Sequence, residues 1–392
     1  RYTLLYKAYQ RSWITENHDY QHFVRKNKWW LTDYALFMAI KEQYNNVSWD
    51  QWPEDIRLRK AHAMTEYYNE LFPYVEFHQY MQFKFHEQWS ALKAYANQKG
   101  IRLIGDIPIY VAMDSADTWA HPELFQLDEQ NVPLAVAGCP PDGFSADGQL
   151  WGNPLYRWEY HRDTNYEWWI SRLAYCFQMY DVLRIDHFRG FDEYYSIPYG
   201  EKTAANGHWE KGPGIELFQC MEQHLGRHEV IAEDLGYVTD SVRWLVRETG
   251  FPGMKVLEFA FDSRDTGSAN DYLPHNYPEN SVAYTGTHDN ETIVGWFDTI
   301  TPEEQKAARD YMCDHYTPKD QLYKSFISLV MRSNAKTCII PIQDYMGLDN
   351  SCRMNKPSTV GNNWRWRLKR EDLTEELKEE IRTVTKRYGR LN

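Results

Sequence analysis

The sequence lacks the features of a membrane-spanning or disulfide-stabilised protein. Its 392 residues include no run of about 18 apolar residues, the length that a transmembrane helix needs. The amino terminus shows no signal-peptide pattern, and the first residue is arginine rather than methionine, as expected of a fragment. The six cysteines are scattered without a CxxC pair. In a chain of this size, that pattern predicts reduced thiols and a cytoplasmic location.

Positive charge is also scarce. Lysine and arginine number 43 against 56 aspartates and glutamates, which gives a formal net charge of −13. This balance argues against nucleic acid or an anionic membrane as the main partner. Aromatic residues, in contrast, are abundant at 16% of the chain. Many of them must fill the core, and the surplus tryptophans and tyrosines in loops are candidates for stacking on sugar rings.

The chain shows neither an internal repeat nor a flexible Gly/Ser linker, which favours one compact body with insertions. Residues 1–98 predict a helical insertion or subdomain, because apolar residues recur there at helical spacing. Residues 99–370 alternate short apolar runs with amphipathic stretches, which is typical of parallel βα units. Residues 371–392 predict a charged carboxy-terminal helix.

Six strands are predicted in the middle region, over residues 102–106, 181–186, 229–233, 254–261, 281–287 and 336–342. A closed (β/α)8 barrel needs eight strands. The predicted fold class is therefore α/β, a (β/α)8 TIM-type barrel with helical insertions, whose first two strands are absent from this chain. A separate amino-terminal segment would then complete the barrel.

Acidic residues stand where the predicted strands end, at the barrel face that carries catalytic residues. Asp106, Asp186 and Glu233 each end a strand, and Asp289 follows another. Such a group fits glycoside cleavage or a divalent cation site. Arg184 lies two residues before Asp186 and so shares its face of the strand, where a guanidinium keeps a carboxylate ionised. That neighbour suits a nucleophile and disfavours a cation, so we predict neither metal nor cofactor.

Glu233 has the opposite requirement if it is the general acid. Its carboxyl must keep a proton near neutral pH, which calls for burial or a neighbouring carboxylate that raises its pKa. We expect the adjacent Asp234 to point away and serve the structure.

Residues 108–160 are long for a connection between a strand and a helix, and such loops are often functional. The segment contains Asp142, Gln149 and Trp151 on a backbone stiffened by glycine and proline. An acid, an amide and an indole suit a sugar, because hydroxyls exchange hydrogen bonds and apolar ring faces stack on aromatics. A packed loop without a ligand is the alternative. His288, which follows a strand end, is equally compatible with a sugar contact and a structural role.

Taken together, these motifs resemble the 4-α-glucanotransferases of glycoside hydrolase family 77, the amylomaltases or disproportionating enzymes. The resemblance extends in order over nearly the whole chain, and jointly the motifs are specific. The matching segments are residues 104–112 (IGDIPIYVA), 140–154, 183–187 (LRIDH), 231–236 (IAEDLG), 252–256 (PGMKV), 287–290 (THDN) and 353–355 (RMN).

The resemblance implies a role for each matching residue. Asp186 matches the nucleophile, Glu233 the general acid/base and Asp289 the third carboxylate, which holds sugar hydroxyls. The implied sugar-binding residues are Arg184, His288, Asp106, Asp142, Gln149, Trp151, Asn355 and Phe259.

The implied activity moves α-1,4-glucan segments from a donor to the 4-hydroxyl of an acceptor by a retaining double displacement. The implied partners are α-1,4-glucans and maltooligosaccharides. Two alternatives stay open: an α-glucan hydrolase of the same clan, which would use the same carboxylates, and a non-catalytic glucan-binding fragment. The departure from the family lies at the front, where the first two strands and a donor-binding tyrosine have no counterpart.

Overall fold

A computed structural model describes residues 2–141, 146–236, 238–263 and 269–391. The chain forms two compact units, Arg1–Val230 and Ile231–Asn392. Both combine helices with parallel strands, so the fold is mixed α/β. No helix in the described ranges is long and apolar enough to cross a membrane.

The first unit begins with helices. Its described helices are α1 (Tyr2–Gln10), α2 (His18–Lys26), α3 (Lys28–Gln43), α4 (Glu54–Arg57), α5 (Ala61–Glu70), α6 (Phe72–Gln98), α7 (Ala116–Ala120), α8 (Trp158–Asp163), α9 (Glu167–Met179) and α10 (Ile215–Leu225). The helical character predicted for the amino-terminal region is confirmed. The long helix α6 ends just before Gly100, whose φ of +75° is the left-handed conformation that favours glycine after a helix.

The strands of the first unit form two different sheets. They are β1 (Ile104–Pro108), β2 (Ala135–Cys139), β3 (Gln149–Pro154), β4 (Val182–Asp186), β5 (Glu193–Pro198) and β6 (His208–Lys211). Strands β1 and β4 pair in parallel, with Asp106 opposite Arg184 and Pro108 opposite Asp186. Asp106 was expected to end its strand, but β1 continues to Pro108, so Asp106 is the third of its five residues, whereas Asp186 ends β4 as expected.

The other sheet is antiparallel, in the order β3-β2-β5-β6. We expected a loop over residues 108–160, and the structure corrects that expectation with strands β2 and β3. Four of the six residues of β3 are exposed, so its sequence lacks the apolar–polar alternation that reveals a half-buried strand. Backbone pairing with β2, rather than burial, defines this strand.

The second unit is built on parallel strands. The chain enters it within β7 (Val230–Ala232), and β8 (Gly253–Val256), β9 (Ser281–Tyr284) and β10 (Thr337–Ile339) follow, in the order β7-β8-β9-β10. Its described helices are α11 (Asp240–Thr249), α12 (Ile293–Thr299), α13 (Pro302–Met312), α14 (Leu322–Met331), α15 (Ile342–Tyr345) and α16 (Glu375–Arg387). The six strands predicted for the βα region are all present.

Three predicted strands are too long: the strand predicted over 281–287 ends at Tyr284, the one over 336–342 ends at Ile339, and the one over 254–261 departs most. Residues 254–261 were expected to be extended throughout, but β8 ends at Val256 and Leu257–Phe261 is a 3-10 helix. Leu257 and Phe261 are buried in a core that includes Ala283 of β9 and Phe326 of α14. The turn therefore buries apolar residues on more than one side, which a strand with two-fold alternation does not do.

We predict that Gly105→Ala destabilises the first unit. A Cβ at this position in β1 would lie 2.1 Å from the ring of Tyr180, so the ring or the strand has to shift. Overpacking of this kind costs about 1–3 kcal/mol. Urea unfolding measures the loss, and the pair Gly105→Ala/Tyr180→Leu should recover part of it, because the smaller side chain frees space. Equal stability of Gly105→Ala and the wild type would contradict the packing described.

Candidate active site

In the first unit, one guanidinium joins a carboxylate in the middle of β1 to the carboxylate that ends β4. Nη1 of Arg184 donates to both carboxylate oxygens of Asp106 at 2.7 Å, and its Nη2 lies 2.9 Å from Oδ1 of Asp186. The Arg184 side chain is only 10% exposed, whereas those of Asp106 and Asp186 are 40% and 42% exposed. The predicted placement of Arg184 and Asp186 on one face is confirmed. Both carboxylates are partly exposed to solvent, whereas the Arg184 guanidinium that stabilises them is nearly buried.

Two residues predicted to bind sugar, Trp151 and Gln149, lie beside the end of β4. The Trp151 ring meets the His187 ring edge-on, with 4.8 Å between centroids, and Trp151 Nε1 donates to Oε1 of Gln149 at 3.0 Å. His187 directly follows Asp186 and has a φ of +51°, which turns the backbone sharply at the end of β4. Burial, aided by the charge of Arg189, lowers the pKa of His187 to about 3. The His187 imidazole is therefore uncharged, and it lies between the Trp151 indole and the end of β4.

In the second unit, adjacent acids at the end of β7 take different positions. Asp234 accepts a hydrogen bond from the backbone nitrogen of Met254 at 2.7 Å, and burial raises its pKa above the ordinary value. Asp234 thus serves the structure, as expected. Oε1 of Glu233 accepts from the backbone nitrogen of Leu235 at 2.9 Å, which fixes the side chain at the strand end.

Asp289, after β9, is held by residues from a distant part of the chain. Asn355 Nδ2 donates to its Oδ1 at 2.6 Å, and Arg353 Nη2 donates to its backbone oxygen at 2.6 Å. His288 Nε2 lies 3.4 Å from Oδ2 of Asp289, whose side chain is 41% exposed. The structure therefore brings together the three residues of this unit, His288, Asp289 and Asn355, that the sequence proposed for sugar contacts.

Two further residues at this place were missed by sequence reasoning. Arg353 also donates to the backbone oxygen of Asn355 at 2.8 Å, so it holds the backbone of both residues that form the Asp289–Asn355 hydrogen bond. Trp364 places its half-exposed ring 5.2 Å from His288. Arg353 stood in a matching motif but received no role. Trp364 gave no signal apart from its aromatic side chain.

The remaining predicted residues are placed less directly. Phe259 meets the Tyr272 ring edge-on at 5.3 Å, and the Tyr272 hydroxyl accepts from the backbone nitrogen of Gly236, three residues after Glu233. Asp142 lies outside the described residues. Across the described ranges, no group of three or more His, Cys, Asp or Glu side chains is placed to hold a metal ion.

Comparison with known proteins supplies the family. The family model for 4-alpha-glucanotransferases, glycoside hydrolase family 77, matches residues 1–374. The 4-alpha-glucanotransferase of Clostridium butyricum is 47% identical over 389 residues, which cover 99% of this chain and 79% of that protein. The amylomaltase of Streptococcus agalactiae, solved in complex with acarbose, superposes with a TM-score of 0.91 at 44% identity, over 95% of this chain and 74% of that one.

These matches define an enzyme of the glycoside hydrolase type that works as a transferase. The chain belongs to the 4-alpha-glucanotransferase family. Its function is transfer of α-glucan segments between glucans, and the hydrolase and non-catalytic alternatives are not favoured. The resemblance found in the sequence motifs is confirmed.

We predict that Arg184→Lys lowers kcat/KM for glucan transfer by about 100-fold. A lysine is a single point charge and cannot bridge two carboxylates in the planar geometry of a guanidinium, so one of the acids loses its position. Product formation from maltotriose measures the change. The matched control is Arg162→Lys, an exposed ion-paired arginine of the same unit, which should keep full activity. Equal kcat/KM for Arg184→Lys and wild type would contradict the bridging role.

Proposed function

We propose that Asp186 is the nucleophile, Glu233 the general acid/base and Asp289 the third carboxylate of a retaining double displacement. Asp186 attacks the anomeric carbon of the donor glucan while Glu233 protonates the leaving oxygen. The 4-hydroxyl of an acceptor, deprotonated by Glu233, then displaces Asp186 from the glucosyl-enzyme. Two inversions retain the α-configuration.

The observation that carries this proposal is the Arg184 bridge. A nucleophilic carboxylate must be ionised, and a nearly buried guanidinium at 2.9 Å favours the ionised form of Asp186. The partial exposure of Asp186 leaves the acid accessible to a glucan. A metal at the same corner is disfavoured, because Arg184 already supplies the positive charge.

Asp289 has the surroundings of a sugar-binding carboxylate. The Asn355 amide fixes one carboxylate oxygen at 2.6 Å, so the acid is oriented before substrate arrives. A carboxylate that accepts hydrogen bonds from two sugar hydroxyls binds them most strongly when it does not have to reorganise first. We propose His288 and Asn355 as neighbours of the same sugar.

The remaining contacts are proposed from the positions of aromatic and polar side chains. Trp151, with Gln149 fixed to its indole nitrogen, offers a partly exposed face for a glucan ring. We assign Asp106 and Asp142 to sugar hydroxyls and Phe259 to the acceptor side. The acarbose complex of the Streptococcus agalactiae relative supports α-1,4-glucans and maltooligosaccharides as ligands.

We further propose that the six parallel strands are strands three to eight of a (β/α)8 barrel. The subdivision into a helical part (1–98), a barrel part (99–370) and a terminal helix (371–392) goes with it. The alternation of strands and helices along the chain supports this arrangement. The scattered cysteines support a cytoplasmic location.

We predict that wild-type protein converts maltotriose into glucose and a ladder of longer maltooligosaccharides. Asp186→Asn should lower this transfer by about 1000-fold or more, because the amide is not a nucleophile. Chromatography that resolves products by length measures both. Asp298→Asn, an exposed acid on α12 paired with Lys319, is the matched control and should keep the ladder. Unchanged transfer by Asp186→Asn would refute the nucleophile assignment.

Glu233→Gln tests the general acid separately. The amide cannot protonate a leaving oxygen, so transfer from maltotriose should fall by about 100-fold to 10,000-fold. A donor with a good leaving group, such as an aryl α-maltoside, needs no proton at that step and should recover formation of the covalent intermediate, here a maltosyl-enzyme. The measurement is the burst of released phenol. Equal loss with both donors would count against the acid role.

A further inference from the structure

Residues 285–293, which we call the Asp289 segment, run from the end of β9 to the start of α12. Both ends of this segment are bound by one buried acid. Oδ2 of Asp344 accepts from the Thr285 hydroxyl at 2.5 Å, and Oδ1 accepts from the backbone nitrogen of Ile293 at 2.9 Å. Asp344 is 1% exposed and Thr285 is fully buried. One carboxylate therefore closes a loop that carries His288 and Asp289.

A second buried acid lies under the same segment. Glu258 is 6% exposed, and its backbone nitrogen donates to the backbone oxygen of Thr285 at 3.3 Å. A Cβ on Gly286 would lie 2.4 Å from Oε1 of Glu258, so the carboxyl packs directly against the backbone of the segment. That oxygen has no hydrogen-bond partner among the described residues.

Burial and the surrounding charges affect the pKa values of the two acids differently. Burial raises the pKa of Asp344 to about 6. Burial, with the charges of Asp344 and Glu291 added, raises the pKa of Glu258 well above its ordinary value, and Arg353 opposes this only in part. Near neutral pH, Asp344 is the ionised member that accepts two hydrogen bonds. Burial favours the neutral form of Glu258, and its bulk supports Gly286.

We propose that Asp344 and Glu258 are positioning residues that hold the Asp289 segment in its catalytic conformation, an inference that rests on the proposed function of Asp289. Neither acid touches the reacting atoms. Asp344 fixes the two ends of the segment through hydrogen bonds, and Glu258 fixes its middle by filling the space under Gly286. A misplacement of about 1 Å at Asp289 is enough to cost roughly 100-fold in rate.

Kinetics of three variants test the role of Asp344. Asp344→Ala removes both hydrogen bonds and Thr285→Val removes one without changing the volume. We expect kcat for transfer from maltotriose to fall about 100-fold for Asp344→Ala and about 10-fold for Thr285→Val, with KM changed less than threefold. Asp344→Asn should recover most of kcat, because its oxygen accepts from Ile293 and its amide donates to Thr285.

The matched control for burial is Glu304→Gln. Glu304 is a buried acid of the same unit that accepts from Ser263 and Thr301 and caps α13, and both of these partners lie outside the Asp289 segment. This variant should lose Tm and keep kcat. If Thr285→Val and folded Asp344→Ala keep the wild-type kcat, the positioning role is overturned. If Asp344→Ala does not fold, the kcat of Thr285→Val decides.

Asp289→Asn separates this inference from the proposed function. When Asp289→Asn abolishes transfer but the Thr285 and Asp344 variants keep kcat, only the inference fails. When Asp289→Asn itself leaves transfer unchanged, the role proposed for Asp289 fails first. Loss of kcat in all of these variants supports both.

The pH dependence of Tm gives a readout specific to Glu258. Its pKa is raised in the folded protein, so the unfolded chain ionises first, near pH 4.5, and stability is lost as pH rises above that value. Glu258→Gln fills the same space without titrating. The Tm of Glu258→Gln minus that of wild type should therefore grow from pH 5 to pH 8, while kcat stays within threefold of wild type and Glu258→Ala loses about 10-fold. A Tm difference independent of pH would overturn the neutral, space-filling role.

Discussion

The side chain of Arg184 binds acids of two neighbouring parallel strands, Asp106 within β1 and Asp186 at the end of β4. Parallel pairing sets Asp106 opposite Arg184, so a single guanidinium reaches Asp106 on the next strand and Asp186 two residues ahead on its own. The positions of these acidic side chains therefore depend on how the backbones of β1 and β4 pair. A shift of β1 against β4 by one residue would turn Asp106 to the other face and break its contact with Arg184. The register of this strand pair and the contact between Asp106 and Arg184 therefore depend on each other.

In the second unit, Asp289 is also held in place, but without a buried cation beside its carboxylate. Around Asp289, the donors are an amide and a guanidinium that approach from residues 353–355. Beneath it, the supporting groups are two buried acids: Asp344, which accepts two hydrogen bonds, and Glu258, whose ionised form is disfavoured by burial. Burial acts on bases and acids in opposite directions, so it lowers the pKa of His187 in the first unit and raises the pKa of Glu258 in the second.

Much of this arrangement could be predicted from the sequence, because strand ends in βα units are marked by short apolar runs that stop at an acid. All six parallel strands and the pairing of Arg184 with Asp186 follow from that local pattern. The antiparallel sheet did not, since β3 is largely exposed and carries no alternating pattern. Arg353 acts through hydrogen bonds to residues more than 60 positions away, and Glu258 through packing under Gly286. Contacts of that range leave no periodic signal in one sequence.

The carboxylates proposed to meet the sugar share one physical property. Asp106, Asp186 and Asp289 are each about 40% exposed, yet each accepts a hydrogen bond at 2.6–2.9 Å from a side chain that is more deeply held or fixed in its own right. In water, such acids would rotate freely and lose entropy on binding a glucan. Here the protein fixes them in advance, and under the roles proposed for them this leaves binding energy from the sugar hydroxyls available to stabilise the transition state. In the proposed double displacement the same fixed carboxylates serve both steps, first with the donor and then with the acceptor.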